Sequence, residues 1–496
     1  MPTSRADEER PDEGAGHIVD TIQTVLTGLV LALIFQSFLV EQFFIPTGSM
    51  AQTLLGAHAT CTCPACGCEF DFAPLRNGPP LASDFAYPPE VMCPNCQLRM
   101  TVTPKDAPSK GGDRILVHKW PYALGGPFRP QRWDVIVFRD PANPRQHYIK
   151  RVVGLPHESI ELVDGDVFID GHIARKPPHV QRTMWFPVFD QDHLPPADNS
   201  SGRQPRWIAP DPPGEHDERW FGMQTRVVRY DGLDSTPRTL AFNPDTGPEY
   251  LRDVYAYNRG SSHTFVGDVR IVSELTLRDG DGWCRWVLTR PPHRLYAQVS
   301  ADGNLKLVLT PHADVGAERI LDECKIAPLP RNRPIAVEFA HVDWRAILKI
   351  DGREVLTTAA TDYGPDLVAL RASPRHRPIG VGVVACNLQL ELRGLRVDRD
   401  VHYTCHPDRA RRAFSGRPFE LLGDEYFVLG DNSPDSHDSR EWYKAGPHLP
   451  EDYRIGTVRA DQIVGQAAFV YLPGLLSRDI GTRWSIPDVG RVRFVR

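Results

Sequence analysis

Tyr148-Ile149-Lys150-Arg151-Val152-Val153 reads as a β-strand with two positive charges at its centre. β-Branched and aromatic residues favour a pleated surface, and Gly154-Leu155-Pro156 marks its end. Side chains alternate along a strand, so with one face packed inward Lys150 enters apolar surroundings and Arg151 points to the opposite face. Similar runs stand at 113–119 (DRILVHK), 133–138 (WDVIVF), 426–429 and 463–471. Gly165-Asp166 and Asp170-Gly171 bracket another short strand. Further on, 295–299 and 305–309 are joined at Asp302-Gly303, and 346–350 and 354–357 at Asp351-Gly352, both hairpin turn sequences. Leu388, Leu390 and Leu392 alternate with Gln389 and Glu391, a period of two. The chain is therefore expected to be mainly β, with short strands forming an antiparallel β-sandwich over about 260–404. Residues 176–259 are rich in Pro, Asp and Trp and show little periodicity.

The composition agrees. The 496 residues allow about three domains. Forty-six prolines cut helices short. A net charge of −6 gives no support to a nucleic-acid binder. With 41% hydrophobic and 24% charged residues the chain is globular, neither disordered nor a multi-span membrane protein.

A polar tail (1–20) precedes an apolar stretch. Between Asp20 and Glu41 lie 20 uncharged residues, enough for one membrane-crossing helix, so 21–42 reads as an anchor. The acidic start and missing small-residue cleavage site argue against a removed leader. Six of ten cysteines fall between Cys61 and Cys96. Cys63-Pro-Ala-Cys66 and Cys93-Pro-Asn-Cys96 are two knuckles whose spacing predicts a closed, structural four-cysteine zinc site within 61–108. Disulfides are the alternative, and the flanking Cys61 and Cys68 complicate the ligand choice.

Ser49 follows the anchor, in Ile45-Pro46-Thr47-Gly48-Ser49-Met50. A serine hydroxyl needs a base to act as a nucleophile. A lysine serves if burial lowers its pKa from about 10.4 toward ~7–8. Of nine lysines, Lys150 best meets that demand; Lys119 and Lys349 read as edge or surface residues. A third cluster, 430–440 (GDNSPDSHDSR), follows a strand and is rich in turn formers.

Taken together, IPTGSM, GDRILVHK (112–119), RWDVIVF (132–138), YIKRVVGLP (148–156) and GDNSPDSHDSR (430–440), in this order behind an apolar span, resemble bacterial type I signal peptidases. The resemblance implies a signal-peptidase β core made of 43–60, 109–175 and 420–496. It implies a serine endopeptidase that removes signal peptides from exported preproteins after small-x-small sequences, and needs no cofactor for the chemistry. Ser49 resembles the nucleophile and Lys150 its base. Thr47 and the Ser49 N–H resemble the oxyanion hole. Ser436 resembles the residue orienting the lysine; Asp438 and Arg440, with Arg151, resemble a supporting ion pair. Phe43, Ile45, Pro46, Met50, Leu54, Tyr148 and Ile149 match positions lining pockets for small side chains. The resemblance also implies a single-pass location in the bacterial cell membrane, with the catalytic mass outside the cytoplasm. Ala51-Gln52 replace the usual proline after Ser-Met, and Ser433-Pro434 replace the usual charged pair.

The insertion 176–419 resembles a concanavalin/laminin-G jelly roll in strand pattern. A glycan or cell-envelope partner is one expectation for it, structural or partner docking the other. Trp207, Trp220, Trp283, Trp286 and Trp344 are candidates for stacking on sugars, with core packing the alternative. Two rivals stand beside the peptidase. A self-cleaving Ser/Lys protease of the SOS-repressor type is disfavoured by the anchor before Ser49 and the absence of a DNA-binding front domain. An inactive membrane-anchored glycan- or partner-binding protein is disfavoured by the joint presence of Ser49, Lys150, Thr47 and Ser436.

Overall fold

The structure, a computed structural model, describes residues 13–76, 85–86, 90–103, 105–107, 109–195, 206–209, 219–242, 251–253, 255–258, 264–311, 318–372, 380–405, 409–474 and 489–495; the side chains of 13–19, 32–37 and 123 are outside it. The apolar runs of the sequence pair into one antiparallel sheet. Its order is Val40–Phe44, Arg114–His118, Ile463–Leu472, Val135–Asp140, Asn143–Gly154, Glu425–Leu429, Val458–Arg459. Strands distant in sequence thus become neighbours: Arg151 lies opposite Val135 on one side and Leu429 on the other. Asn143–Gly154 has partners on both sides and is buried continuously from Ile149 to Gly154. Both faces of this strand are therefore interior, and Arg151 is as buried as Lys150, contrary to the one-sided expectation.

The anchor expected at 21–42 differs. A helix runs Glu13–Phe38, and Val40–Phe44 is already a strand bound to Arg114–His118. Among the described residues no helix is long and apolar enough to cross a membrane. Thr21, Gln23, Thr24, Thr27 and Gly28 dilute its apolar residues. The side chains of 32–37, inside the expected span, lie outside the described residues. Those of Ile22, Val25, Leu26, Leu29, Val30 and Leu31 are exposed. Of the expected tail 1–20, residues 1–12 also lie outside the described residues.

The cysteine-rich stretch forms a small sheet of His58–Thr62, Glu69–Phe72 and Ser109–Lys110, plus a hairpin Val91–Met92/Arg99–Met100. The insertion is a β-sandwich, but its strands are not all short. Val269–Arg290 and Gly380–Arg399 run through it as 22- and 20-residue strands. Asp279-Gly280-Asp281-Gly282 looks like a turn, yet it is absorbed as bulges in mid-strand, where Gly280 has φ 95°. The first half of Val269–Arg290 pairs with Pro334–Val342 and the second half with His293–Ser300. One apolar core lies between the layers. The hairpin at Asp351-Gly352 has positive φ at both residues (48° and 76°), as its sequence implies. The sandwich also starts before 260, because Phe186–Asp190, Val227–Gly232 and Arg238–Phe242 pair with Gly380–Arg399. Trp207, Trp220, Trp286 and Trp344 are buried in its core, so sugar stacking is closed to them. Trp283 is half-buried, and Arg285 covers its ring at 4.1 Å.

The sandwich is fused to a four-stranded sheet that includes Ser159–Val163 and Asp166–Ile169. Val163 and Phe168 belong to the sandwich core. Beside them lies a buried charge cluster. Arg290 reaches Asp268 (2.6 Å), Asp164 (3.1 Å) and Asp166 (3.2 Å), while Trp344 Nε1 donates to Asp166 (3.0 Å). Lys176 bridges Asp400 (2.8 Å) and Asp343. Asp166, Asp268 and Asp343 lie close enough together to hold an ion, but Arg290 and Lys176 already neutralise them.

Candidate active site

The turn carrying Ser49 lies over the middle of the large sheet. Ile45 N–H donates to Asp113 O (2.9 Å) and Asp113 N–H to Leu55 O (2.8 Å), closing the segment 45–55 against the start of Arg114–His118. Met50, Leu54 and Ile45 drop their side chains into an apolar cluster with Ile115, Val137 and Ile149. That anchorage holds Ser49 above the strand bearing Lys150. Lys150 Nζ donates to Ser49 Oγ at 2.6 Å and to Ile149 O at 3.0 Å. Both side chains are buried, and the Tyr148 ring lies 5.6 Å from Nζ.

Among the described residues no carboxylate pairs with Lys150. Burial lowers its pKa from 10.5 to about 8; Asp438 and Asp431 pull it up at a distance, and Arg440 pushes it down. Neutral lysine is thus accessible near neutral pH, and a neutral amine accepts a hydroxyl proton.

The 430–440 loop braces this pair. Asp438 Oδ2 accepts from Ser436 Oγ (2.7 Å), Gly430 N (3.0 Å) and Arg440 Nη2 (2.7 Å). Burial pushes Asp438 up, but Arg440 and these hydrogen bonds hold its carboxyl below the usual range. The Ser436 hydroxyl therefore points to Asp438, where the sequence comparison expected it on Lys150. Arg151 does not join Asp438 and Arg440 either. It forms a bidentate pair with Asp431, Nε to Oδ1 at 2.8 Å and Nη2 to Oδ2 at 2.7 Å, and donates Nη1 to Trp133 O (2.7 Å). Gly430 has to be glycine: a Cβ there would stand 2.2 Å from Ser436 Oγ and 2.5 Å from Ser49 O.

Thr47 is exposed beside the turn. Ile45, Met50, Leu54 and Ile149 are at most 9% exposed and pack beneath the turn, instead of lining an open pocket. Phe43 and Pro46 are half-buried. Phe43 meets His147 edge-on at 5.3 Å. Tyr148, whose ring stands beside Lys150, also borders an open cleft of about 460 Å³ shared with His437, Trp442, Tyr443 and Lys444.

Several residues of the site carried no signal in the sequence. Asp431 accepts from Arg151 and from the Thr53 hydroxyl. Asn432 donates N–H to Ser49 O (3.1 Å) and Nδ2 to Gly48 O (2.9 Å). Both stand in the quoted loop but read there only as turn formers.

The four knuckle cysteines converge. Their sulfurs all lie within 4.8 Å of one another, with Cys63–Cys96 at 3.5 Å and Cys66–Cys93 at 3.6 Å. A disulfide needs about 2.05 Å, and four thiolates about 2.3 Å from one ion lie at these wider spacings. Cys96 N–H also approaches Cys93 Sγ (3.5 Å). Cys61 and Cys68 turn to backbone carbonyls instead.

Residues 103–201 and 398–472 match the family of signal peptidase, peptidase S26. The match takes in Lys150, Ser436, Asp438 and Arg440, covers less than half of the chain, and leaves Ser49 outside. The chain is 33% identical over 151 residues to a signal peptidase I of Pseudomonas fluorescens, covering 30% of this chain and 37% of that protein. It is 29% identical over 156 residues to a signal peptidase I of Pseudomonas aeruginosa, covering 29% and 36%. It thus spans little more than a third of the length of these curated relatives. Among solved structures, a carbohydrate binding module CBM66 from Bacillus subtilis is 14% identical, covers 39% of this chain and 95% of that one, and superposes with a TM-score of 0.25, too low to assign a shared fold.

Proposed function

We propose that this protein is a serine endopeptidase that cleaves signal peptides from exported preproteins, with Ser49 as nucleophile and Lys150 as general base. The observation that carries this is the 2.6 Å contact from Lys150 Nζ to Ser49 Oγ in a buried site where, among the described residues, no carboxylate pairs with the lysine. Neutral Lys150 takes the hydroxyl proton as Ser49 Oγ attacks the scissile carbonyl, and passes it to the leaving amine. The Ser49 N–H and the Thr47 hydroxyl receive the oxyanion. Two such donors supply several kcal/mol. Ser436, Asp438 and Arg440 hold the loop against the dyad, and Arg151 with Asp431 holds the strand beneath it. Val40–Phe44 closes one end of the sheet, so an extended peptide adds to it as a further strand. Phe43 and Pro46, half-buried beside the turn, shape the approach for small side chains, over a floor of Ile45, Met50, Leu54 and Ile149 packed beneath it.

In this reading the helix Glu13–Phe38 anchors the chain in the bacterial cell membrane by a single pass. The exposed apolar side chains between Asp20 and Glu41 support it, and the catalytic mass lies on the extracytoplasmic side. Cys63, Cys66, Cys93 and Cys96 hold one structural zinc ion. The insertion, with its buried tryptophans, serves as a structural or docking unit. Cleavage of a model preprotein by wild type, Ser49→Ala and Lys150→Ala tests the reading. Wild type cuts after a small-x-small sequence and both folded variants are inactive; normal cutting by Lys150→Ala overturns the dyad.

A further inference from the structure

The Ser49 turn is touched by residues from the insertion. Ala256–Asn258 forms a 3-10 turn, well outside the segments that match signal peptidases. Asn258 and Asn432 exchange two side-chain amide hydrogen bonds, each 2.7 Å. The same Asn432 Nδ2 donates to Gly48 O at 2.9 Å. Tyr257 is buried with Ala51 and Leu55, and its hydroxyl donates to Ala57 O (3.0 Å). Its ring fills the space a Cβ on Gly48 would need, 2.1 Å from Cε1.

Gly48 O and the Ser49 N–H are the two ends of one peptide unit. A planar trans peptide points its carbonyl and its N–H in opposite directions. Gly48 O accepts from the Ala51 N–H (3.0 Å) within the turn and from Asn432 Nδ2 outside it, and the two bonds together aim the Ser49 N–H. We infer that Asn258 is a positioning residue: through Asn432 and Gly48 O it fixes the peptide plane that presents the Ser49 N–H to the oxyanion, with the Tyr257 ring packed against Gly48. This deepens the peptidase reading and rests on it. Oxyanion donors act only when aimed within a few tenths of an ångström of the developing charge, and a turn held on one side alone tilts. Asn432 has an amide whose Nδ2 can serve Gly48 O only in one orientation. Gly48 O selects that orientation, and Asn258 matches it with its own amide, accepting from Nδ2 and donating to Oδ1, and so braces the Asn432 side chain.

The test is steady-state cleavage by Asn258→Ala, Asn258→Gln, Asn432→Ala and the Asn258→Ala/Asn432→Ala pair, beside wild type and Lys150→Ala. Asn258→Ala is expected to lower kcat about 10- to 100-fold, the scale of a misplaced donor. KM and the apparent pKa of the rate profile stay where they are, because neither Lys150 nor the peptide groove is touched, while the thermal midpoint falls modestly with the two lost amide bonds. Asn258→Gln restores part of kcat, and the pair is no slower than Asn432→Ala alone. Unchanged kcat in Asn258→Ala overturns the proposal, as does a drop that multiplies with that of Asn432→Ala. A loss accompanied by a shift in the apparent pKa or in KM overturns it too. Failure of the peptidase reading looks different: wild type does not cut, or Lys150→Ala cuts normally.

Discussion

Arg151 and Asp431 face each other across 280 residues of sequence in a two-bonded pair that is almost wholly buried. The pair ties the lysine-bearing strand to the loop that braces the serine. Removing one member leaves the other charged in a dry site, which costs about 3–5 kcal/mol. Asp431→Ala is therefore expected to lose that much in denaturant unfolding. Replacing both, Arg151→Met with Asp431→Leu, recovers most of it. Equal losses from the single and the double variant would show that the pair itself is not what matters.

Lys150 sets the pH dependence of activity. With its pKa brought down to about 8 by burial, the neutral base accumulates as pH rises through that value. The peptidase reading thus expects kcat/KM to climb below about pH 8 and level above it. Lys150→Ala is expected to cost about 10⁴-fold or more in rate, since members of such a unit fail together. A flat profile from pH 6 to 9 would contradict Lys150 as the base.

The same group has a stability signature. Its folded pKa, about 8, lies below the ordinary lysine value of 10.5, so the unfolded chain holds the proton more tightly. The penalty on the fold is complete below about pH 8, shrinks between pH 8 and 10.5, and is gone above. At 1.36 kcal/mol per unit it reaches about 3 kcal/mol, partly offset by the lost bond to Ser49. Lys150→Met is expected to be more stable than wild type at pH 7 and to lose that advantage by about pH 10.5. Urea titrations at both pH values measure it.

The sulfur spacing around Cys63, Cys66, Cys93 and Cys96 gives a metal prediction. Purified protein is expected to carry one zinc per chain by elemental analysis, and to release it to a strong chelator with a lower thermal midpoint. After release, four additional thiols become reactive. Two disulfides with no metal would refute the site.

Gly430→Ala drives a methyl group into Ser436 Oγ and Ser49 O. A local shift is unavoidable. Overpacking of this kind costs about 1–3 kcal/mol, and the displaced Ser49 is expected to slow cleavage about 10-fold or more.

Local patterns were legible in the sequence, and distant partnerships were not. The β-branched run at 148–153 announced its strand, and Asp351-Gly352 its turn, because both follow from neighbouring residues. Ser49 and Lys150, 101 residues apart, could be paired only through resemblance to a family. Arg151 pairs with Asp431 and the Ser436 hydroxyl with Asp438, partners that the order of residues in the loop does not distinguish from their neighbours. At Asp279–Gly282 glycine serves a bulge, not a turn, because the strand is paired on both sides. Asn258 gave no signal, since nothing near it in the chain shows that Asn432 lies opposite.

The Asp166–Arg290–Trp344 junction bears on how such a chain changes over generations. A segment attached only by its two ends can be lost or exchanged in a single recombination event. Here deletion of 176–419 would strip Asp166 of its cation and bare Val163 and Phe168 to water. The sandwich and the strands Ser159–Val163 and Asp166–Ile169 thus complete one another's interior, and neither surface is closed without the other.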